Sequence, residues 1–229
     1  MRIGGFQPLS LIDYPGKPCS IIFTQGCVFK CSYCHNPDLI PLESQHSRDI
    51  PTLFEFLTKR KKMIDAICIT GGEPTIQSGL IAFLRQLKEM GFFVKLDTNG
   101  IRPSVVAESI QQSLVDYIAM DIKAPWEKYR DIAGDTAREL AASCRESLRI
   151  IQDSSVEHEF RTTVFPSVHN ENDFFTMAGY LKPGEQYYIQ KTQFTRVLDP
   201  SIHREMEYDI QEIVSNLATR YSSLRIAAR

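Results

Sequence analysis

The chain has 229 residues, 43% of them hydrophobic, and carries 26 Lys and Arg against 28 Asp and Glu for a formal net charge of −2. That apolar share supports a packed core and excludes intrinsic disorder. The even charge balance excludes a protein whose main task is to neutralise nucleic-acid phosphates. No unbroken apolar run approaches the roughly 18 residues of a membrane span. The opening stretch MRIGGFQPLSLIDYPG has one Arg, and Pro8, Asp13 and Pro15 interrupt any secretory apolar segment. A cytoplasmic chain with no membrane and no nucleic-acid partner is therefore expected.

In chain order, strands are predicted at residues 19–24, 66–70, 92–97, 117–121, 159–164 and 187–190, with one further short strand within 224–228. Between them, apolar residues fall at helical spacing. Leu80, Phe83, Leu84 and Leu87 form one such stripe, Leu140, Ala141, Cys144 and Leu148 a second, and Ile210, Ile213, Val214 and Leu217 a third. Strands alternating with helices imply a parallel sheet with helical crossovers. Six β/α units fall short of the eight in a closed barrel. The predicted fold is thus α/β, a partial (β/α)6 open barrel with parallel strands, spanning residues 1–229 as one domain. A flat doubly wound sheet is the alternative.

Chemistry in parallel β/α folds gathers on loops that follow the carboxyl ends of strands, and the unusual motifs fall there. The first predicted strand runs into QGCVFKCSYCHNP, the second into TGGEP, the third into DTNG. The fourth ends as MDIKAP, the fifth carries Arg161, and the sixth leads into QKTQF. Cys27, Cys31 and Cys34 crowd into a C-x3-C-x2-C loop at 26–37, while Cys19, Cys68 and Cys144 are scattered in apolar settings and read as core. In a cytosolic chain such a cluster points to metal rather than disulfides. Three thiolates in one loop suit an iron–sulfur cluster or zinc. A structural zinc wants four ligands, and His35 and His46 are the candidates to complete that set. A four-iron cluster on three cysteines instead leaves one iron open to a substrate or cofactor. Tyr33, beside Cys34, is an aromatic that either covers the cluster or packs on a cofactor.

The remaining motifs each admit two readings. Gly71 and Gly72 lack a Cβ and let a ligand approach the backbone, with Glu73 at that edge suited to an ammonium group. Asp97-Thr98-Asn99-Gly100 also reads as an ordinary turn. Asp121 and Lys123, two apart, face one side of a strand, as a ligand site or as a structural ion pair. Arg161 is unusual inside a strand, and a carboxylate ligand would account for it. The basic run 59–62 suits a helix C-terminus. Segment 124–134, with Trp126 and Tyr129, reads as a polar–aromatic loop available to a partner. His158, His169 and His203 show no ligand spacing.

Taken together, CVFKCSYC, GGEP, DTNG and DIK resemble the radical S-adenosylmethionine enzymes. SLIDYPGK, FTQGC and CHNPDLIP more narrowly resemble the activating proteins of glycyl radical enzymes, above all those of anaerobic ribonucleoside-triphosphate reductase. The resemblance implies that Cys27, Cys31 and Cys34 hold one catalytic 4Fe-4S cluster, whose open iron S-adenosylmethionine chelates through its amino and carboxylate groups. It implies that Gly71, Gly72 and Glu73 line the methionine end, with Asp97, Thr98, Asp121, Lys123 and Arg161 around the rest. The carboxylates of Asp97 and Asp121 are candidates to hold a monovalent cation. The implied reaction is reductive cleavage of S-adenosylmethionine, giving a radical that takes hydrogen from a glycine of a partner enzyme. The expected partner is the large subunit of anaerobic ribonucleoside-triphosphate reductase, and the expected electron donor a flavodoxin or ferredoxin. Two alternatives stand beside this. One is a radical enzyme acting on a small molecule, similar to 7-carboxy-7-deazaguanine synthase, which is not expected to carry the CHNP run. The other is a zinc-stabilised binding module without catalysis.

Overall fold

Eight strands run in one sheet in sequential order in this computed structural model, which describes residues 1–43, 49–194, 197–199, 201 and 208–229. They are β1 (Ile3–Ser10), β2 (Cys19–Thr24), β3 (Ala66–Gly71), β4 (Phe93–Thr98), β5 (Tyr117–Asp121), β6 (Glu157–Val164), β7 (Gln186–Lys191) and β8 (Arg225–Ala228). From β2 onward each strand is parallel to the next. Crossovers are made by α1 (Ile50–Arg60), α2 (Leu80–Glu89), α3 (Pro103–Gln111), α4 (Tyr129–Ala133), α5 (Asp135–Gln152), α6 (Glu171–Ala178) and α7 (Ile210–Arg220). Six β/α units thus lead to a seventh parallel strand, in an α/β sheet that stays open. The strand order never reverses, so there is no topological switch point and the doubly wound alternative does not apply.

Local chemistry explains the elements. The stripe Leu80, Phe83, Leu84 and Leu87 is buried along α2, packing that helix on the sheet. Asp49 caps α1 by accepting from the Thr52 N–H at 3.0 Å, and Lys59 and Arg60 occupy its last turn, where cations suit the helix dipole. β1 is antiparallel to β2 and was not expected. Gly4, Gly5 and Pro8 argue against a strand by composition, but an edge strand tolerates them. The segment expected as an open aromatic loop is instead a 3-10 turn, Trp126–Lys128, that runs into α4. Tyr129 is fully buried with its ring 6.3 Å from Phe29, and Trp126 stacks on Tyr180 at 4.9 Å, so Tyr129 offers nothing to a partner.

The interior of the open barrel has two layers. Toward the amino ends of the strands, Tyr14, Cys19, Ile21, Ala66, Cys68, Tyr117 and Ala119 form a separate apolar cluster. Tyr14, from the β1–β2 connection, meets Tyr117 at 6.0 Å and Phe93 at 6.5 Å and plugs that end of the barrel. Cys144 is buried on α5, in the layer between helices and sheet. The layer toward the carboxyl ends is charged, and it floors the site. Among the described residues no helix is long and apolar enough to cross a membrane.

Candidate active site

The cysteine loop leaves β2 at Thr24 and comes back to its own start. The Gly26 N–H donates to Leu39 O at 2.7 Å and the Cys27 N–H to Ile40 O at 3.0 Å. Gln25, only 3% exposed, closes the base by donating from Nε2 to Asp38 O (3.0 Å) and Pro41 O (2.7 Å). Gln77 in turn donates to Gln25 O at 2.7 Å. The flanks are tied as well. The Lys30 N–H reaches Ala133 O at 2.9 Å, Ser32 O accepts from the Asp199 N–H at 3.0 Å, and His35 Nε2 accepts from the Gln193 N–H at 3.0 Å. A loop clamped on three sides presents its three sulfurs in a set geometry. Replacing Gln25 with Ala removes the side-chain donor that two carbonyls at the loop base share, at a cost of about 1–3 kcal/mol. The expected result is several-fold less iron retained after anaerobic reconstitution, read by iron analysis, with the circular dichroism spectrum unchanged.

All twelve residues expected at the site line one cavity of about 220 Å³: Cys27, Cys31, Cys34, Tyr33, Gly71, Gly72, Glu73, Asp97, Thr98, Asp121, Lys123 and Arg161. Cys31 is buried, and Cys27 and Cys34 are half-buried. Burial pushes the free thiol of Cys27 up to about 12 and that of Cys31 up to about 11, so metal loading there must expel protons.

Glu73 and the glycines before it serve the chain's own architecture. Glu73 is 1% exposed and accepts from Thr75 N–H (3.0 Å), Thr75 Oγ1 (2.5 Å), Thr98 Oγ1 (2.7 Å) and the Asn99 N–H (2.8 Å). It therefore ties the β3 and β4 loops together. A Cβ on Gly72 would lie 2.2 Å from Gly26 O, and one on Gly71, whose φ is +109°, would lie 2.5 Å from the Thr24 N. The missing Cβ thus lets β2 approach Gly71 and the cysteine loop approach Gly72.

Arg161 is held by two acids of this chain. Its Nη1 donates to Asp97 Oδ2 at 3.1 Å and its Nε to Asp121 Oδ1 at 2.9 Å. Lys95 Nζ holds Asp97 Oδ1, and Lys123 Nζ holds Asp121 Oδ2 at 2.9 Å. Burial works against ionisation of Asp97 and Asp121, but Arg161 and the adjacent lysines prevail and hold both carboxyls below the usual range. Every carboxylate oxygen of the pair faces a cation of the chain, the positions where a monovalent cation was expected. The row Lys95, Asp97, Arg161, Asp121, Lys123 carries three positive and two negative charges. Glu159, beneath, is satisfied by Tyr117 Oη and Arg229 Nη1, both at 2.8 Å.

Sequence reasoning missed Asn99, Gln190, Asn36 and Gln25. The first three share the cavity wall. Asn99 was visible within DTNG, where it read as a turn residue; its Nδ2 reaches Cys27 Sγ at 3.9 Å. His35 lines the cavity with one ring nitrogen already engaged, and His46 lies outside the described residues. His203 also lies outside them.

The residues present fit a thiolate-held cluster with an organic ligand beside it. Three soft donors share one wall, yet among the described residues no three His, Cys, Asp or Glu side chains converge as a single metal ion requires. A multinuclear cluster gives each cysteine its own iron and needs no such convergence. Tyr33 Oη is buried on the same wall without a hydrogen-bond partner, although its ring is packed 5.4 Å from Phe165. Such an orphaned hydroxyl suits a cavity that a polar ligand completes.

Residues 21–175 match the Radical SAM superfamily. The chain is 37% identical over 195 residues to a protein of Methanocaldococcus jannaschii named as a glycyl-radical enzyme activating enzyme, covering 82% of this chain and 79% of that one. It is 27% identical over 178 residues to the pyruvate formate-lyase-activating enzyme of Clostridium pasteurianum, covering 75% and 72%. Among solved structures, Streptococcus suis SuiB bound to its precursor peptide SuiA superposes with a TM-score of 0.70 at 14% identity. That match covers 91% of this chain and 48% of SuiB, so the chain spans about half of SuiB. The anSMEcpe protein with bound AdoMet superposes at 0.64 and 15% identity, over 90% of this chain and 61% of that one. At such identities the structures speak for the fold, a partial barrel, while the sequence relatives speak for the family. The chain belongs to the radical S-adenosylmethionine superfamily and, within it, to the enzymes that activate glycyl radical enzymes.

Proposed function

We propose that the chain carries one 4Fe-4S cluster on Cys27, Cys31 and Cys34, binds S-adenosylmethionine beside it, and installs the glycyl radical of anaerobic ribonucleoside-triphosphate reductase. The observation that carries the site is the gathering of all twelve residues on one cavity wall. Bound there, the cluster and S-adenosylmethionine would supply the one-electron cleavage that yields a radical able to take a glycine hydrogen. The chain's own part is placement. The Gln25 clamp sets the sulfurs, and Glu73 locks the β3 and β4 loops around the cavity. The surplus positive charge of the five-residue row receives a ligand carboxylate, while Tyr33 Oη waits for a polar partner. A monovalent cation at Asp97 and Asp121 would share their carboxylate oxygens with Lys95, Arg161 and Lys123.

The reductase is favoured as partner by SLIDYPGK and CHNPDLIP, and a cytoplasmic flavodoxin or ferredoxin fits as electron donor. The test is electron paramagnetic resonance of the reductase large subunit after anaerobic incubation with this protein, a reductant and S-adenosylmethionine. A glycyl radical doublet is expected. A doublet on pyruvate formate-lyase with none on the reductase would reassign the partner.

A further inference from the structure

Lys123 stands two residues beyond the end of β5, past the hydrogen-bonded ladder, and yet lines the cavity. Its backbone is held from both sides. The Lys123 N–H donates to Tyr129 Oη at 3.3 Å, and its carbonyl oxygen accepts from His169 Nε2 at 2.8 Å. His169, in the β6–α6 connection, has its other nitrogen engaged, because Nδ1 accepts from the Phe165 N–H at 3.0 Å. A backbone N–H on Nδ1 requires the ring proton on Nε2, so the tautomer is set by its partners. His169 is 2% exposed, its ring lies 5.2 Å from Phe174, and its carbonyl accepts from Tyr208 Oη at 2.6 Å. Burial pushes this imidazole down to about 4; the charged groups facing it, Asp173 and Lys128, are themselves paired at 2.8 Å.

We infer that His169 is the positioning residue for Lys123: its Nε2–H pins the Lys123 carbonyl and so keeps the ammonium on Asp121 at the cofactor wall. The inference rests on the reading that Lys123 borders bound S-adenosylmethionine. Without the pin, the Lys123 N–H keeps its bond to Tyr129 Oη and Ile122 stays tied to Arg161 O and Thr162 Oγ1, but the Lys123 carbonyl is released and the ammonium loses a fixed origin.

The test exploits the reach of two amides. Asn places its side-chain oxygen near the Nδ1 position, and Gln places its side-chain nitrogen near Nε2. Each of His169→Asn and His169→Gln therefore keeps one of two hydrogen bonds, so a merely structural role affects both alike. The readout is the dissociation constant of S-adenosylmethionine for the iron-loaded enzyme by equilibrium dialysis, with iron content and melting temperature alongside and Lys123→Met as reference. H169Q is expected within about twofold of the unsubstituted enzyme and H169N about five- to tenfold weaker, approaching K123M, at equal iron content. Equal affinities for H169N and H169Q, with K123M weakened, would overturn the positioning role alone. Unchanged affinity in K123M would overturn the Lys123 reading and the inference with it. A second measurement needs no variant: nitrogen-15 spectra of the histidines should show His169 as the Nε2–H tautomer, and an Nδ1–H tautomer would overturn the assignment.

Discussion

Cys31→Ala is expected to reduce bound iron from about four atoms per chain to below about one, and with it to abolish S-adenosylmethionine cleavage. Cys31 is the most buried of the three motif cysteines, and the turn it makes with Cys34 (Cys34 N–H to Cys31 O, 2.9 Å) sets the spacing of the last two sulfurs. No other thiol can substitute. Cys19 and Cys68 belong to the apolar layer beneath the charged row, Cys68 Sγ standing 3.8 Å from Asp97 Oδ1 but off the cavity wall, and Cys144 is buried on α5. Losing one small sulfur costs the apo fold little, so the melting temperature of metal-free protein should barely move. Iron analysis, the brown absorbance of the cluster and chromatography of 5′-deoxyadenosine check this together. Full iron with full cleavage in the variant would remove Cys31 from the ligand set.

Arg161→Met is expected to have the largest effect on the fold. Arg161 is the only group that touches both Asp97 and Asp121 among the described residues, and its loss leaves two buried carboxylates sharing two lysines. Breaking a buried ion network by removing one partner costs about 3–5 kcal/mol, which lowers the melting temperature of a chain this size by on the order of 10 °C. The pH dependence follows with a definite sign. Both carboxyls titrate in the fold below their ordinary value of 3.8, although burial opposes it, so they contribute stability above that pH and lose it as the pH falls further. In the variant burial is less well opposed, the folded-state values rise, and acid unfolding begins at a higher pH. Thermal melts between pH 3 and pH 7 test this. Superimposable curves for the two proteins would show the network to be energetically idle.

The parallel strands were legible because each is a short apolar run closed by a turn, and Cys19–Thr24 and Tyr117–Asp121 match their predicted bounds. Composition hid β1, because Gly4, Gly5 and Pro8 say nothing of an edge that pairs with β2. That these twelve residues would gather on one cavity wall was legible because their types are rare at strand ends, but their partners within the chain were not. Arg161 advertised an acid without naming Asp97 and Asp121, which lie 64 and 40 positions earlier. Gly71 and Gly72 were recognised as open backbone, but not their neighbours, β2 at Gly71 and the returning cysteine loop at Gly72. Gln25 and His169 act through backbone carbonyls of distant segments, and a hydrogen bond to a carbonyl leaves no spacing in the sequence for a reader to find.

The most direct measurement is anaerobic. The protein, reconstituted with iron and sulfide, is reduced with dithionite, given S-adenosylmethionine with and without the reductase large subunit, and assayed by chromatography. The prediction is 5′-deoxyadenosine and methionine in equal amounts, dependent on reduction and on Cys27, Cys31 and Cys34. A protein that holds four irons, accepts the electron and leaves S-adenosylmethionine intact under both conditions would contradict the activity at its centre.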